Sequence, residues 1–346
     1  MSSIGQTVGT AHRRLPQGRR SGLSDPELRA SLTMDLDIGI SSPAGRLTRL
    51  IADSFGAECV AILHYGSHSH ATNAPPSSAY DFFVIVDDNA NAYRSFTARL
   101  GPRFSARTAS ALARILPPNF VGVTLPGDSP DLTLRGKCGV LSLRDFAAAC
   151  GPDSKDHFTK GRLFQPVRLA WVRDEAGRRA IEDALIAARA GTFAWVRPHL
   201  PAAFDTAEYC RTLLSTSYAA EIRLEKNTRA VEVFAAEREF LVALYDALLR
   251  KLAADGVLRK DGNAYRQTHP ASFAERTRVG WYFRRSKLRA TVRWGKGILL
   301  YDRWLDYVRE KAERHSGTVI ELSPRERRWP LIFLWPRAVR FLASRR

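Results

Sequence analysis

A short apolar run, Ala61-Ile62-Leu63-His64-Tyr65, stops abruptly on Gly66-Ser67, and fourteen residues after Ser67 the chain resumes as Asp81-Phe82-Phe83-Val84-Ile85-Val86-Asp87-Asp88. Few folds accommodate that pattern. Both runs are rich in β-branched and aromatic residues and are too short for helices, so they read as strands, and the Pro75-Pro76 segment between them reads as a loop. One strand therefore ends on a turn that admits close backbone approach, and the next begins with a single acid.

That combination suits the binding of a polyphosphate. Backbone N–H groups at Gly66-Ser67 and the serine hydroxyl can donate to phosphate oxygens, while Asp81 offers an oxygen ligand for the magnesium that bridges them. Nucleotidyltransferases build their sites this way, although a plain β-turn beside an edge-strand aspartate is the competing explanation. A second metal acid is expected two residues on, because strand side chains alternate, but Phe83 stands there. Asp87 shares the face yet lies about 20 Å along the strand. Asp87 and Asp88 thus read as strand-end acids.

A partner for Asp81 can come from a later helix. Over 206–225, Cys210, Leu213, Leu214, Ser217 and Tyr218 phase onto one face, and Glu221 falls among them. A carboxylate in an apolar stripe is costly unless it is paired or holds a metal, so Glu221 is expected to complete a magnesium site with Asp81; a buried salt bridge is the alternative. Lys137 and Arg162 are candidates to neutralise a triphosphate, with ordinary surface cations as the competing reading. His64, His68 and His70 alternate near the turn and read as loop histidines rather than transition-metal ligands.

Charge separates the ends of the chain from its body. Of the net +18, residues 276–346 carry 19 Lys/Arg against 6 Asp/Glu, and residues 1–34 carry 5 against 2. The basic end should therefore meet an anionic surface. Its last stretch, from Arg325 to Arg346, intersperses arginines with Trp329, Leu331, Ile332, Phe333, Leu334 and Trp335, as an interfacial anchor does; a core-packing helix is the alternative. No apolar run reaches the roughly 18 residues that span a bilayer. Cys59, Cys138, Cys150 and Cys210 have no zinc-ligand or C-x-x-C spacing and read as free thiols.

Helices are expected from a Ser42 N-cap with Pro43 to Gly56, over 91–116, after a Ser142-x-x-Asp145 capping box, and over 177–190, 206–225 and 231–254, with a hairpin in Leu258–Tyr265. The fold class is α+β. A nucleotidyltransferase-type mixed sheet with helices occupies 42–195, a helical or winged-helix-like domain 196–275, and a basic amphipathic tail 276–346, after a disordered segment 1–34.

Five segments, in order, resemble the mitochondrial phosphatidate cytidylyltransferases, the translocator assembly and maintenance proteins. They are Tyr65-Gly66-Ser67; Asp81-Phe82-Phe83-Val84 with Val86-Asp87-Asp88; Lys137-Cys138-Gly139-Val140-Leu141-Ser142; Gly161-Arg162-Leu163 with Pro166-Val167; and Ser217-Tyr218 leading to Glu221-Ile222-Arg223. That family tolerates an apolar residue at the Phe83 position, and it usually has Gly at His68, Tyr at Cys138 and Gly-Asp at Ala220-Glu221. The resemblance implies a magnesium-dependent transfer of CMP from CTP to phosphatidic acid on an anionic membrane surface, with no nucleic acid as partner. Gly66, Ser67, Lys137, Arg162 and Tyr218 would face the nucleotide, and Asp81 and Glu221 the metal. The protein would be peripheral, on the cytoplasmic side or on the inner face of the mitochondrial inner membrane. A nucleotidyltransferase with an RNA, small-alcohol or other lipid acceptor is the first alternative, and a non-enzymatic nucleic-acid-binding protein the second.

Overall fold

The computed structural model describes residues 25–69, 78–101, 104–129, 132–220, 229–300 and 320–328, with Arg309, Glu313 and Phe333 as single positions. It is an α+β fold built on a mixed five-stranded sheet and a small three-stranded one.

The five-stranded sheet contains the two opening runs as neighbours. β1 (Cys59–Tyr65) pairs antiparallel with β2 (Tyr80–Val86), and Tyr65 lies opposite Asp81. β2 pairs parallel with β4 (Thr133–Ser142), which places Asp81 level with Lys137; β3 (Asn119–Pro126) and β5 (Arg168–Val172) close the edges in the order β3-β4-β2-β1-β5. Both faces of β2 are covered, so its sequence is a continuous apolar run rather than an alternating one. Phe82, Val84 and Val86 pack with α2 (Ser42–Phe55), α3 (Asn89–Leu100) and α4 (Ala106–Ile115). Phe83 and Ile85 face α5 (Leu143–Cys150) and α7 (Glu175–Ala190).

Several expected boundaries move. Ser41 rather than Ser42 is the N-cap of α2, and Pro43 still falls in the first turn, where its missing N–H costs nothing. The helix expected over 91–116 is two helices, because Gly101 adopts φ +90°, a conformation that ends a helix. The capping box holds: Asp145 N–H donates to Ser142 Oγ at 3.1 Å. All four cysteines are buried free thiols, with burial pushing Cys59 up to about 12.

The segment read as a disordered tail, 1–34, contains a helix, α1 (Pro26–Thr33), capped by Asp25. Its apolar residues Leu28 and Leu32 are too few to signal a helix alone, yet they complete a second core with α8 (Thr192–Val196), α9 (Thr206–Ala220) and α10 (Arg229–Ala254). That core continues into the three-stranded sheet of β6 (Ala203–Phe204), β7 (Leu258–Asp261) and β8 (Ala264–Gln267), ordered β6-β8-β7, which includes the expected hairpin. The boundary at 195/196 falls inside α8, and Phe164 and Ile186 enter this core from the first body, so the two bodies interlock.

The boundary expected at 276 falls within a helix. α11 (Phe273–Leu300) is one helix whose polar residues Ser286, Arg293 and Lys296 are buried, and Leu300 ends in the sheet's own core. Two of the cations assigned to a membrane-facing tail, Arg293 and Lys296, are thus internal, while Arg284 and Arg285 are exposed. The aromatic stretch after Trp329 lies outside the described residues except for Phe333, which is 47% exposed.

Candidate active site

Tyr65 carries the chain out of β1 into a turn at Gly66 with φ +85°. A Cβ there would stand 3.0 Å from Asp81 Oδ2, so a side chain would be strained by both backbone and carboxylate. The turn is closed by Ser69, whose N–H and Oγ both donate to Gly66 O at 2.9 and 2.8 Å. Arg168 on β5 donates to Ser69 O at 3.1 Å and ties the turn to the sheet. His68 stacks on Tyr80 at 3.9 Å and meets Ser78 Oγ at 2.7 Å, and burial lowers its pKa. The imidazole at this position is therefore a rigid wall of the loop.

Gly66, Asp81 and Lys137 come together as the strands dictate. Lys137 Nζ lies 3.8 Å from Asp81 Oδ1 and 4.8 Å from the Phe120 ring centroid, with Asp81 28% and Lys137 20% exposed at the side chain. The pair is loose and reachable by solvent. Phe83 occupies the second-acid position and stacks on Tyr65 at 4.4 Å, so that point of the site is apolar packing. Asp87 binds Arg173, and Asp88 caps α3, accepting from Ala90 and Asn91 N–H at 2.9 Å each. Both are strand-end acids, as expected.

His64 departs from its expectation. It is fully buried in β1, 5.2 Å from the Phe82 ring, and belongs to the core rather than to a loop. Strand alternation put it on the apolar face opposite Leu63 and Tyr65, which the loop reading overlooked. His70 lies outside the described residues.

The segment 156–165 forms the far wall. Phe158 meets Phe83 edge-on at 6.3 Å and Phe120 at 5.5 Å, and the Arg162 guanidinium lies 3.7 Å over its ring while donating to Phe158 O at 2.6 Å. The end of α9 locks onto this wall. Ser217 Oγ and His157 Nε2 are 2.9 Å apart, and Tyr218 Oη donates to Gln165 Oε1 at 3.5 Å. The face marked by Cys210, Leu213, Leu214 and Ser217 is buried as phased, and Tyr218 is half-buried. Glu221, the expected partner of Asp81, lies outside the described residues, one position beyond the last described turn of α9.

Three charged residues beside this wall, Asp156, Arg289 and Arg293, were not legible as a cluster. Asp156, on this same segment, accepts from Arg289 Nε at 2.7 Å and from Arg293 Nη2 at 2.8 Å, both on α11. Burial alone would raise the Asp156 carboxyl, but the charges and hydrogen bonds of Arg293 and Arg289 outweigh it and hold it below its ordinary value. The signal was present in the spacing: Ser286, Arg289, Arg293 and Lys296 recur at three- and four-residue steps, an inward polar stripe.

Among the described residues one carboxylate, Asp81, faces this site, and no group of three His, Cys, Asp or Glu side chains gathers to hold a metal. Asp81 presents a partly exposed carboxylate, the ligand type magnesium takes together with phosphate and water oxygens. No protein-family model matches the chain, and no curated protein is similar enough in sequence to count as a match.

Proposed function

We propose that the protein is a phosphatidate cytidylyltransferase, moving CMP from CTP to phosphatidic acid to give CDP-diacylglycerol and pyrophosphate. The observation that carries the reading is the juxtaposition of a positive-φ Gly66 with Asp81 and Lys137 on neighbouring interior strands of the sheet. Two further features support it. The order α8-β6-α9-α10-β7-β8, with β8 central, following a mixed five-stranded sheet, supports reading the chain as a nucleotidyltransferase-type domain followed by a winged-helix-like unit. Trp281, Leu288 and Val292 stand exposed on α11 with Arg284 and Arg285, a pattern that suits peripheral contact with an anionic lipid surface.

In this reading the triphosphate rests against Gly66-Ser67, Lys137 neutralises phosphate charge and Asp81 holds magnesium, joined by Glu221. Magnesium held by Asp81 and Glu221 would supply positive charge that offsets the charge of the phosphates. A phosphate oxygen of the acceptor forms a bond to the α-phosphorus while the bond from that phosphorus to the bridging oxygen breaks, and pyrophosphate leaves with the electron pair. The acceptor is already ionised at neutral pH, so the chain need only position it and offset its charge.

The deciding experiment measures pyrophosphate release with each nucleoside triphosphate, with and without phosphatidic acid liposomes. Release only with CTP plus liposomes is expected, together with co-sedimentation of the protein with those liposomes. Release with CTP and another acceptor moves the protein to the alternative nucleotidyltransferase reading. No release under any condition overturns both.

A further inference from the structure

One side-chain pair joins the turn after β1 to the approach of β2. His68 follows Ser67 directly, and its Nε2 lies 2.7 Å from the Oγ of Ser78, three residues before Asp81. That distance is a full hydrogen bond between a hydroxyl and an imidazole nitrogen. The ring is held in orientation, stacked on Tyr80 with centroids 3.9 Å apart and planes 12° from parallel. Both residues are half-buried, so the pair is not sealed in the core.

A hydroxyl held by a base that a third group orients is the arrangement that activates serine as a nucleophile. With the imidazole proton on Nδ1, Ser78 Oγ–H donates to Nε2 and can pass its proton to it. Burial first lowers the pKa of His68, which keeps it a base at rest, while Ser78 O and the charge of Asp81 favour the imidazolium. The carbonyl does so directly: Ser78 O lies 3.1 Å from Nε2, placed to accept from the N–H that proton transfer creates. Closing the loop calls for the first contact but not for a second acceptor on the same nitrogen.

We propose that Ser78, with His68 as its base, is a hydroxyl acceptor within the chain that takes a nucleotidyl group from a nucleoside triphosphate, making Ser78 a site of covalent self-modification. The nucleotide donor rests on the nucleotidyl-transfer reading; the activated serine rests on the geometry of the pair. The pair stands on the turn that would hold that donor, since Gly66, two residues before His68, approaches Asp81 so closely that a Cβ would be 3.0 Å from Oδ2. In the step, a bond forms between Ser78 Oγ and the α-phosphorus while the bond from that phosphorus to the bridging oxygen breaks. Pyrophosphate leaves with the electron pair, and the hydroxyl proton passes to His68 Nε2, whose N–H then donates to Ser78 O.

Intact-mass measurement and peptide mapping of the full chain, incubated with magnesium chloride and each nucleoside triphosphate in turn with no other acceptor, read the modification directly. The expected product carries one nucleoside monophosphate, less water, on Ser78. Ser78→Ala should abolish it. His68→Gln keeps a hydrogen-bonding side chain but cannot take the proton, and should slow it about 100-fold or more. A fluorophosphonate probe, which needs no nucleotide, should label Ser78 in wild type and not in His68→Gln. If His68→Gln does not fold, Ser78→Ala and the labelling of wild type decide. An adduct on another residue, or one formed at the wild-type rate in His68→Gln, overturns the proposal, as does the absence of both adduct and label. Pyrophosphate release to phosphatidic acid liposomes with Ser78 unmodified overturns it and leaves the transferase standing. Labelling of Ser78 that depends on His68, with no pyrophosphate release under any condition, keeps the activated serine and sinks the nucleotidyltransferase.

Discussion

Two acid–base pairs in this protein have the same chemistry and opposite surroundings. Asp35 and Arg189 are 1% and 0% exposed and meet through two bonds of 2.7 and 2.6 Å. Their remaining valences are occupied as well: Arg189 donates to Leu32 O, Leu163 O and Gln165 O, and Asp35 accepts from Val167 N–H at 2.6 Å. Asp81 and Lys137 are partly exposed, 3.8 Å apart, and face a glycine turn. The first pair is a finished joint between α1, α7 and the 163–167 segment. The second is a loose pair whose carboxylate and ammonium are both partly exposed to solvent.

Breaking each pair should therefore damage different properties. Arg189→Met leaves the Asp35 carboxylate buried with no cation and should cost about 3–5 kcal/mol of stability, read as a large fall in denaturation midpoint. A fall of under about 1 kcal/mol would show that the joint is not structural. Asp81→Asn should leave the midpoint nearly unchanged, since a loose, partly exposed pair contributes about 0–1 kcal/mol. It should lower turnover by about 100- to 1000-fold, as loss of one electrostatic contact at a reacting centre does. Loss of stability with activity retained would reverse the assignment of the two pairs.

A third ion sharpens the contrast. Lys296 is buried with oxygens rather than a carboxylate as hydrogen-bond partners: Leu112 O at 3.2 Å, Asn119 Oδ1 at 2.7 Å, and Leu116 O. Burial first, and the charges of Arg293 and Arg289 next, lower its pKa from 10.5 to about 7. Because the folded value lies below the unfolded one, the unfolded chain binds more protons between about 7 and 10.5, and stability rises with pH across that window. The stability difference between wild type and Lys296→Met should thus shift in favour of wild type by on the order of 1 kcal/mol per pH unit above 7. Denaturant curves at several pH values check it, and a flat difference would mean that Lys296 keeps its proton throughout.

Local signals made part of this legible. The closeness of Gly66 and Asp81 was readable because strand and turn chemistry act within a few residues, and the buried face of α9 followed from helical phase alone. α1 was missed because Leu28 and Leu32 gain their stability from a core assembled from residues after 160, and basic residues of α11 were misplaced because their partners Asp156, Pro117 and Asn119 are more than 130 positions away. A charge count gives the sign of a segment but not its surroundings.

By itself, then, the sequence determined the strand–turn–strand element, the single acid at its edge, the α+β class and most helices, since each depends on backbone preference and periodicity over short spans. Only the tertiary structure decided which charges are joints and which are open. Asp35 with Arg189 and Asp156 with Arg293 become structural pairs through long-range packing that removes water from them, and that same packing leaves Asp81 and Lys137 partly exposed on two neighbouring interior strands.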